Sequence, residues 1–165
     1  MNDLLHNLIE ALREELKQYG EMLAVLEQQQ ETVVQRQVND LLQNVAQVNA
    51  QADVIAAVRH EREQHQRNVA RQLGLDEAAA FNVIIPRLAA DYQPLVEALV
   101  QENNELLIRV HHRTRQNHLL LSHAVELMGQ LIQAIFPNGS PKTYDKSGRL
   151  PVNNLPQYSL YESVG

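Results

Sequence analysis

From Tyr92 to Phe136 the sequence places residues at alternating gaps of four and three: Tyr92, Val96, Leu99, Asn103, Leu106, Val110, Arg113, Asn117, Leu120, Ala124, Leu127, Leu131 and Ala134. Spacing held this way for six heptads lines one side of a long helix with a narrow, mostly apolar seam. A second row, including Leu95, Leu107, Leu121, Val125, Met128, Ile132 and Ile135, widens the seam so that more than one helix can pack against it. At about 1.5 Å per residue the stretch reaches roughly 65 Å, and its covering helices must be long to match it.

The rest of the composition suits that arrangement. Among 165 residues, hydrophobic content is 44%, yet aromatics are only 4% and Trp is absent. A Leu, Val, Ile and Ala core favours helix-on-helix packing over a β-sandwich. With no Cys, the chain has no disulfide, thiolate metal site or Cys nucleophile. No basic start of a signal peptide and no apolar run of membrane-spanning length occurs, so a soluble cytoplasmic protein without membrane insertion is expected. The formal charge of −6 is concentrated at the start, where residues 1–31 carry seven acidic and two basic groups. Such a surface argues against nucleic acid as a partner.

Leu5, Ile9, Leu12, Leu16, Tyr19, Leu23 and Leu26 repeat the alternation and predict a first helix starting at Asn2 or Asp3, with Gly20 inside it at a cost of about 1 kcal/mol. The seam turns polar at Gln30 and Gln37 and resumes at Leu41, Val45, Val48, Ala52 and Ile55, so a turn is expected near residues 35–39. The second helix runs to about Leu73, where Gly74 ends it. Residues 59–68 contain no apolar side chain, which predicts the loosest packing there. If the first two helices are antiparallel, residue i faces roughly 72 − i, and Glu10, Glu14 and Glu15 lie opposite Arg59 and Arg62. Exposed pairs of this kind contribute about 0–1 kcal/mol each. Asp76 is expected to cap a short helix near 77–86 that holds Phe81, Ile84 and Ile85 and closes the bundle over Leu4, Leu5 and Leu8. Asp91 is then expected to cap the long helix, with Pro94 in its first turn. The predicted fold is all-α: an elongated antiparallel bundle, or coiled coil, of three long helices near 3–36, 39–73 and 91–136 plus the short helix. Residues 1–136 form the helical domain; residues 137–165, rich in Pro, Gly, Ser and Asn, read as a flexible C-terminal tail.

Motifs for catalysis are missing. His60 and His65 flank Glu61 but stand five apart, about 140° around a helix, so they do not make a zinc-protease pair and read as a solvated face. His111, His112, His118 and His123 lack the Glu-x-x-His partner of a di-iron bundle and read as a pH-sensitive surface. There is no Gly-rich phosphate loop. No enzyme activity, cofactor or metal is expected. Asn103, Arg113 and Asn117 interrupt the long seam, either to fix register, as buried Asn does in coiled coils, or to contact a partner.

A mismatch of lengths points to an interface. With a connection at residues 74–91, position j of the long helix faces roughly 164 − j of the second, and Leu127 falls opposite the turn at residue 37. Leu127, Met128, Leu131, Ile132, Ile135 and Phe136 then overhang. At about 1.5–3 kcal/mol per fully buried side chain, they hold roughly 10 kcal/mol of unused driving force. Apolar patches of this size mark interfaces.

Three pieces of the chain resemble the flagellar export chaperones of the FlgN family. They are the Leu-rich opening hairpin through Leu73-Gly74-Leu75, the stretch from Val100 to Leu107 with Asn103, Asn104, Leu106 and Leu107, and Tyr144-Asp145-Lys146-Ser147-Gly148-Arg149 after the long helix. The second is similar to an Asn-x-x-Asn-x-x-Leu-Leu pattern, with its asparagines here adjacent; the third is similar to a Tyr-x-x-x-Gly element. The resemblance implies a cytosolic chaperone that binds the C-terminal helical segment of hook-associated (hook–filament junction) proteins and prevents their premature polymerisation. It implies delivery to the export-gate protein and export ATPase apparatus, with Tyr144 and Gly148 as the docking element. It also places client binding toward the end of the long helix and the tail, the region where the overhang of Leu127, Met128, Leu131, Ile132, Ile135 and Phe136 independently points.

Other readings stay open. A structural coiled-coil adaptor or another secretion chaperone would show the same seams, and a second copy of the chain would also cover the overhang as a homodimer. A helical ligand or metal binder would need acidic and His groups converging in the core.

Overall fold

The computed structural model describes residues 2–136; the expectations for the tail, including Tyr144 and Gly148, lie outside them. Among the described residues there are four α-helices, α1 (Asn2–Val34), α2 (Val38–Gln72), α3 (Phe81–Ile84) and α4 (Gln93–Ile135), with a 3-10 turn at Ile85–Arg87 after α3. No strand occurs among the described residues, and the fold is all-α. The chain divides into two compact units after His118, so α4 gives residues 93–118 to the first and 119–135 to the second.

Within the first unit, α1 and α2 form an antiparallel hairpin. The turn between them is a Schellman arrangement in which Gln37 N–H donates to the Thr32 carbonyl (3.2 Å) and Arg36 N–H to Val33 (3.2 Å). Arg36 occupies the left-handed position at φ 57°, which is usually taken by Gly. The expected turn near residues 35–39 is therefore present without the residue type that announces one. At the far end of α2 the same motif recurs in its ordinary form: Leu75 N–H donates to Ala70 (2.9 Å), Gly74 N–H to Arg71 (3.1 Å), and Gly74 has φ 70°.

The connection to α4 differs from the expectation in two places. Asp76 does not cap α3, which starts five residues later, at Phe81, behind Ala80. Its carboxylate instead accepts from Ala78 N–H at 2.7 Å, an Asx turn that competes with helix formation. Nor does α4 begin on Asp91; it starts at Gln93, with the Tyr92 carbonyl accepting from Val96 N–H at 3.0 Å. Pro94 still falls in the first turn, where its missing N–H costs nothing.

The core sits where the apolar seams meet. Leu5, Leu8, Ile9 and Leu12 of α1 cluster with Val69 and Ala70 of α2, Ile84, Leu88, and Val96 and Leu99 of α4. Leu4, Phe81 and Ile85 pack against the same cluster, so the short α3 segment closes it as expected. Further along the hairpin, Tyr19, Met22, Leu23, Leu26 and Val48 are buried. Gly20 is exposed, with open space where a Cβ would stand.

Residues 59–68 contain no buried residue, and polar contacts hold them in place. Arg62 donates from Nε to Glu15 Oε2 at 2.9 Å and from Nη1 to Gln66 Oε1 at 2.8 Å. Gln66 in turn donates to the Ala79 carbonyl at 2.9 Å, and the Arg62 guanidinium lies 5.9 Å from the centre of the Phe81 ring. Polar side chains tie α1, α2 and the α2–α3 connection together here.

Candidate functional site: the exposed face of α4

In the first unit, three buried asparagines hold the helices in register. Asn103 Nδ2 donates to the Leu12 carbonyl and the Leu99 carbonyl, both at 2.9 Å. Asn117 Nδ2 donates to the Leu26 carbonyl at 2.7 Å and to Gln29 Oε1 at 3.0 Å. From α2, Asn44 Nδ2 reaches the Val25 carbonyl at 3.4 Å. The Oδ1 atoms of all three are buried without a hydrogen-bond partner. Arg113, the third interruption of the seam, donates to Gln30 Oε1 and lies 3.7 Å from Glu27. The register reading of Asn103, Arg113 and Asn117 accounts for these contacts. Asn44 was not singled out from sequence; its signal is a position beside the Leu41–Val45–Val48 seam in a helix with few apolar residues.

The predicted charge pairing is selective. Glu15 is buried (4% exposed), receives Arg62, and lies 3.9 Å from Arg59. Tyr19 donates its hydroxyl to Glu15 Oε1 at 2.8 Å. Burial, then the Glu15 charge and this hydrogen bond, push the Tyr19 phenol well above its ordinary value of 10.0. Along α1, Glu10 pairs with Arg13 at 2.7 Å and Glu14 accepts from Gln18 at 2.6 Å. A helix position one or two residues from the buried stripe turns its side chain toward solvent, where its own i+3 or i+4 neighbour is nearest.

His60 Nε2 lies 2.8 Å from Gln64 Nε2, and His65 Nε2 lies 3.8 Å from Glu61. Among the described residues no three His, Asp or Glu side chains converge to hold a metal ion, and no helix is long and apolar enough to cross a membrane.

The second unit is different in character. From Leu119 to Phe136 no side chain is buried. Leu127, Met128, Leu131, Ile132, Ile135 and Phe136 are 56–62% exposed, and Val125 is 68% exposed. On helical spacing Leu127, Met128, Leu131, Ile132 and Ile135 share one face. The opposite face carries His123 and Glu126, which pair at 3.5 Å, with Gln130 and Gln133. The result is an amphipathic helix whose apolar face lacks a cover among the described residues. What such a face can do chemically is bind another apolar surface.

Neither the curated proteins nor the solved structures give a significant match. A model of one protein family does match, over residues 1–151, and its description is FlgN protein. That span includes the hairpin, the α2–α4 connection and all of α4, and a match over so much of the sequence means that the chain belongs to the FlgN family of flagellar export chaperones.

Proposed function

We propose that this protein is a cytoplasmic, non-catalytic export chaperone whose clients are hook-associated, hook–filament junction proteins. It covers the C-terminal helical segment of a client, which blocks premature polymerisation, and delivers the client to the export gate and its ATPase apparatus. The observation that carries this reading is the exposed apolar face of α4, with Leu127, Met128, Leu131, Ile132, Ile135 and Phe136 at 56–62% exposure. Client helices of this kind offer apolar anchors at i, i+3, i+4 and i+7, which match such a face. Tyr144 and Gly148 serve the second step, docking on the export gate.

Calorimetric titration with the C-terminal peptide of a hook-associated protein tests the proposal. Leu131→Asp and Ile135→Asp place a charge in the contact, and each weakens binding by several kcal/mol while circular dichroism stays unchanged. Unaltered affinity in both variants would remove this face as the client site. Tyr144→Ala leaves client affinity intact and lowers export; loss of client binding in that variant would refute the division of roles.

A further inference from the structure

Between Glu105 and Glu126 the sequence holds three arginines and four histidines but no acidic residue, in a chain whose formal charge is −6. Eight arginines lie on α1, α2 and α4. Six of them, Arg13, Arg59, Arg62, Arg67, Arg71 and Arg113, have a carboxylate within 4.0 Å. Arg109 and Arg115 have no such partner among the described residues. Two acids close to this stretch are engaged elsewhere. Glu105, four residues before Arg109, accepts from Gln101 at 3.0 Å, and Glu27 of α1 lies 3.7 Å from Arg113.

Ile108, His111, His112 and Arg115 stand at i, i+3, i+4 and i+7, and all four are exposed. At about 100° per residue they fall within an arc of about 100°, on the side of α4 turned away from the buried Asn103 and Asn117. Ile108, 56% exposed, sits at the centre of this arc with the cationic groups around it. The charged groups beside His111 and His112 are Arg109 and Arg115, one helical turn away on α4 itself; Glu105 lies a further turn back, and no group of α1 or α2 pairs with either imidazole. The result is one apolar anchor framed by unneutralised cations on a single helix face.

We infer that this face of α4 docks an acidic amphipathic helix of a protein partner, with an apolar side chain of that helix on Ile108 and its carboxylates on Arg115, Arg109 and the two imidazoles. Charge complementarity selects the partner: a guanidinium fork binds a carboxylate through two parallel hydrogen bonds, and i, i+3, i+4, i+7 spacing reads a helix. The inference does not rest on the client reading, because residues 108–115 belong to the first unit and are distinct from residues 127–136. A nucleic acid fits poorly, since the patch spans only about 10 Å and the net charge of −6 repels a polyanion. A lipid surface would need an apolar face larger than one isoleucine. A second copy brings the same repulsive net charge, and its Glu10 and Glu14 are already held by Arg13 and Gln18.

Fluorescence anisotropy of the full chain with a labelled synthetic helix, Leu on one face and Glu beside it, reads the contact, with a Lys-for-Glu peptide as reference. The Glu peptide binds and the Lys peptide does not, and affinity falls by about tenfold or more between about 0.05 and 0.5 M salt. Arg115→Glu weakens binding by about fivefold or more, while Arg87→Glu, the same charge change at another exposed position, alters it by less than about twofold. Ile108→Ala weakens it by about fivefold and leaves the salt dependence unchanged. Histidine side chains ordinarily change charge between about pH 5 and 8, so the parent binds more tightly at pH 6 than at pH 8, and His111→Gln with His112→Gln removes that gain. These positions are exposed, and circular dichroism checks that each variant keeps its helices. Equal losses in Arg87→Glu and Arg115→Glu would reduce the effect to bulk charge and overturn the inference, as would no binding of the Glu peptide at low salt. Tighter binding of duplex DNA or of phosphatidylserine vesicles, abolished by Arg115→Glu, would assign the face to a polyanion and refute it. Self-association that Arg115→Glu abolishes would assign it to a second copy and refute it too.

Discussion

Asn103 and Asn117 grip α1 at one constant offset. Each donates to a carbonyl 91 positions earlier, Leu12 for the first and Leu26 for the second, so α1 and α4 run parallel in a single register. A helix carbonyl already accepts within its own helix, so the added bond contributes little, while each buried Oδ1 without a partner costs about 1–3 kcal/mol. The two amides therefore specify alignment more than they stabilise it.

Replacing both by Leu removes the orphaned acceptors and completes an apolar seam. Asn103→Leu with Asn117→Leu should raise the denaturation midpoint by an amount worth about 1–3 kcal/mol. The same variant should populate more than one α1–α4 register, visible as several distances between spin labels on the two helices. A lowered midpoint with one distance would show that the amides supply stability instead.

Glu15 and Arg62 carry the opposite balance. The side chains are 5% and 14% exposed, so removing one partner strands the other with little water. Glu15→Ala should cost about 3–5 kcal/mol, against the 0–1 kcal/mol of an exposed pair. A loss below about 1 kcal/mol in urea titration would mean the pair is solvated.

Tyr19 gives this cluster a signature in pH. Its folded value lies above the 10.0 of the unfolded chain, so the folded state holds the proton more tightly. The stabilisation is complete below pH 10 and is lost as pH rises above it, at up to about 1.4 kcal/mol per pH unit. Tyr19→Phe should abolish that component of the alkaline decline. Parallel curves for the two proteins above pH 10 would contradict the assignment.

Most of the fold was legible because apolar spacing reports burial directly. Of the seam Leu5, Ile9, Leu12, Leu16, Tyr19, Leu23 and Leu26, every residue is buried except Leu16, which is half-buried. Gly74 announced its own turn. Arg36 did not, because nothing in an arginine signals a left-handed backbone, and only the phase slip located that turn. The polar contacts of residues 59–68 are hidden from sequence for a related reason. An apolar count is blind to a guanidinium that packs on Phe81 and bonds to Glu15. Leu127, Met128, Leu131, Ile132, Ile135 and Phe136 are legible as an apolar excess and are exposed, while helical spacing does not say what covers such a face.

Arg36 also offers a modest gain. A left-handed non-Gly residue costs about 1–2 kcal/mol; the extra freedom of Gly in the unfolded chain takes back about 0.4–1. Arg36→Gly should therefore stabilise by about 0.5–1 kcal/mol, measured by thermal melting. Destabilisation would imply that the arginine side chain holds the turn.

Leu8 and Leu131 separate folding stability from the proposed client contact. Both are leucines on regular helices, but Leu8 is 0% exposed and Leu131 is 59% exposed. Truncating Leu8 to Ala removes packed methyl groups and leaves a cavity, at a cost of about 2–5 kcal/mol. Truncating Leu131 removes groups that already face water, so the isolated protein should change by less than about 0.5 kcal/mol. Binding of the client should show the reverse order. On the proposed site Leu131→Ala loses contact area that forms on binding, and its affinity should fall by about 1–3 kcal/mol. Leu8→Ala should bind normally wherever it remains folded. Urea denaturation and calorimetric titration of the same two variants give all four numbers. If Leu131→Ala destabilises the isolated chain as much as Leu8→Ala does, the face is covered in the free protein and does not wait for a client.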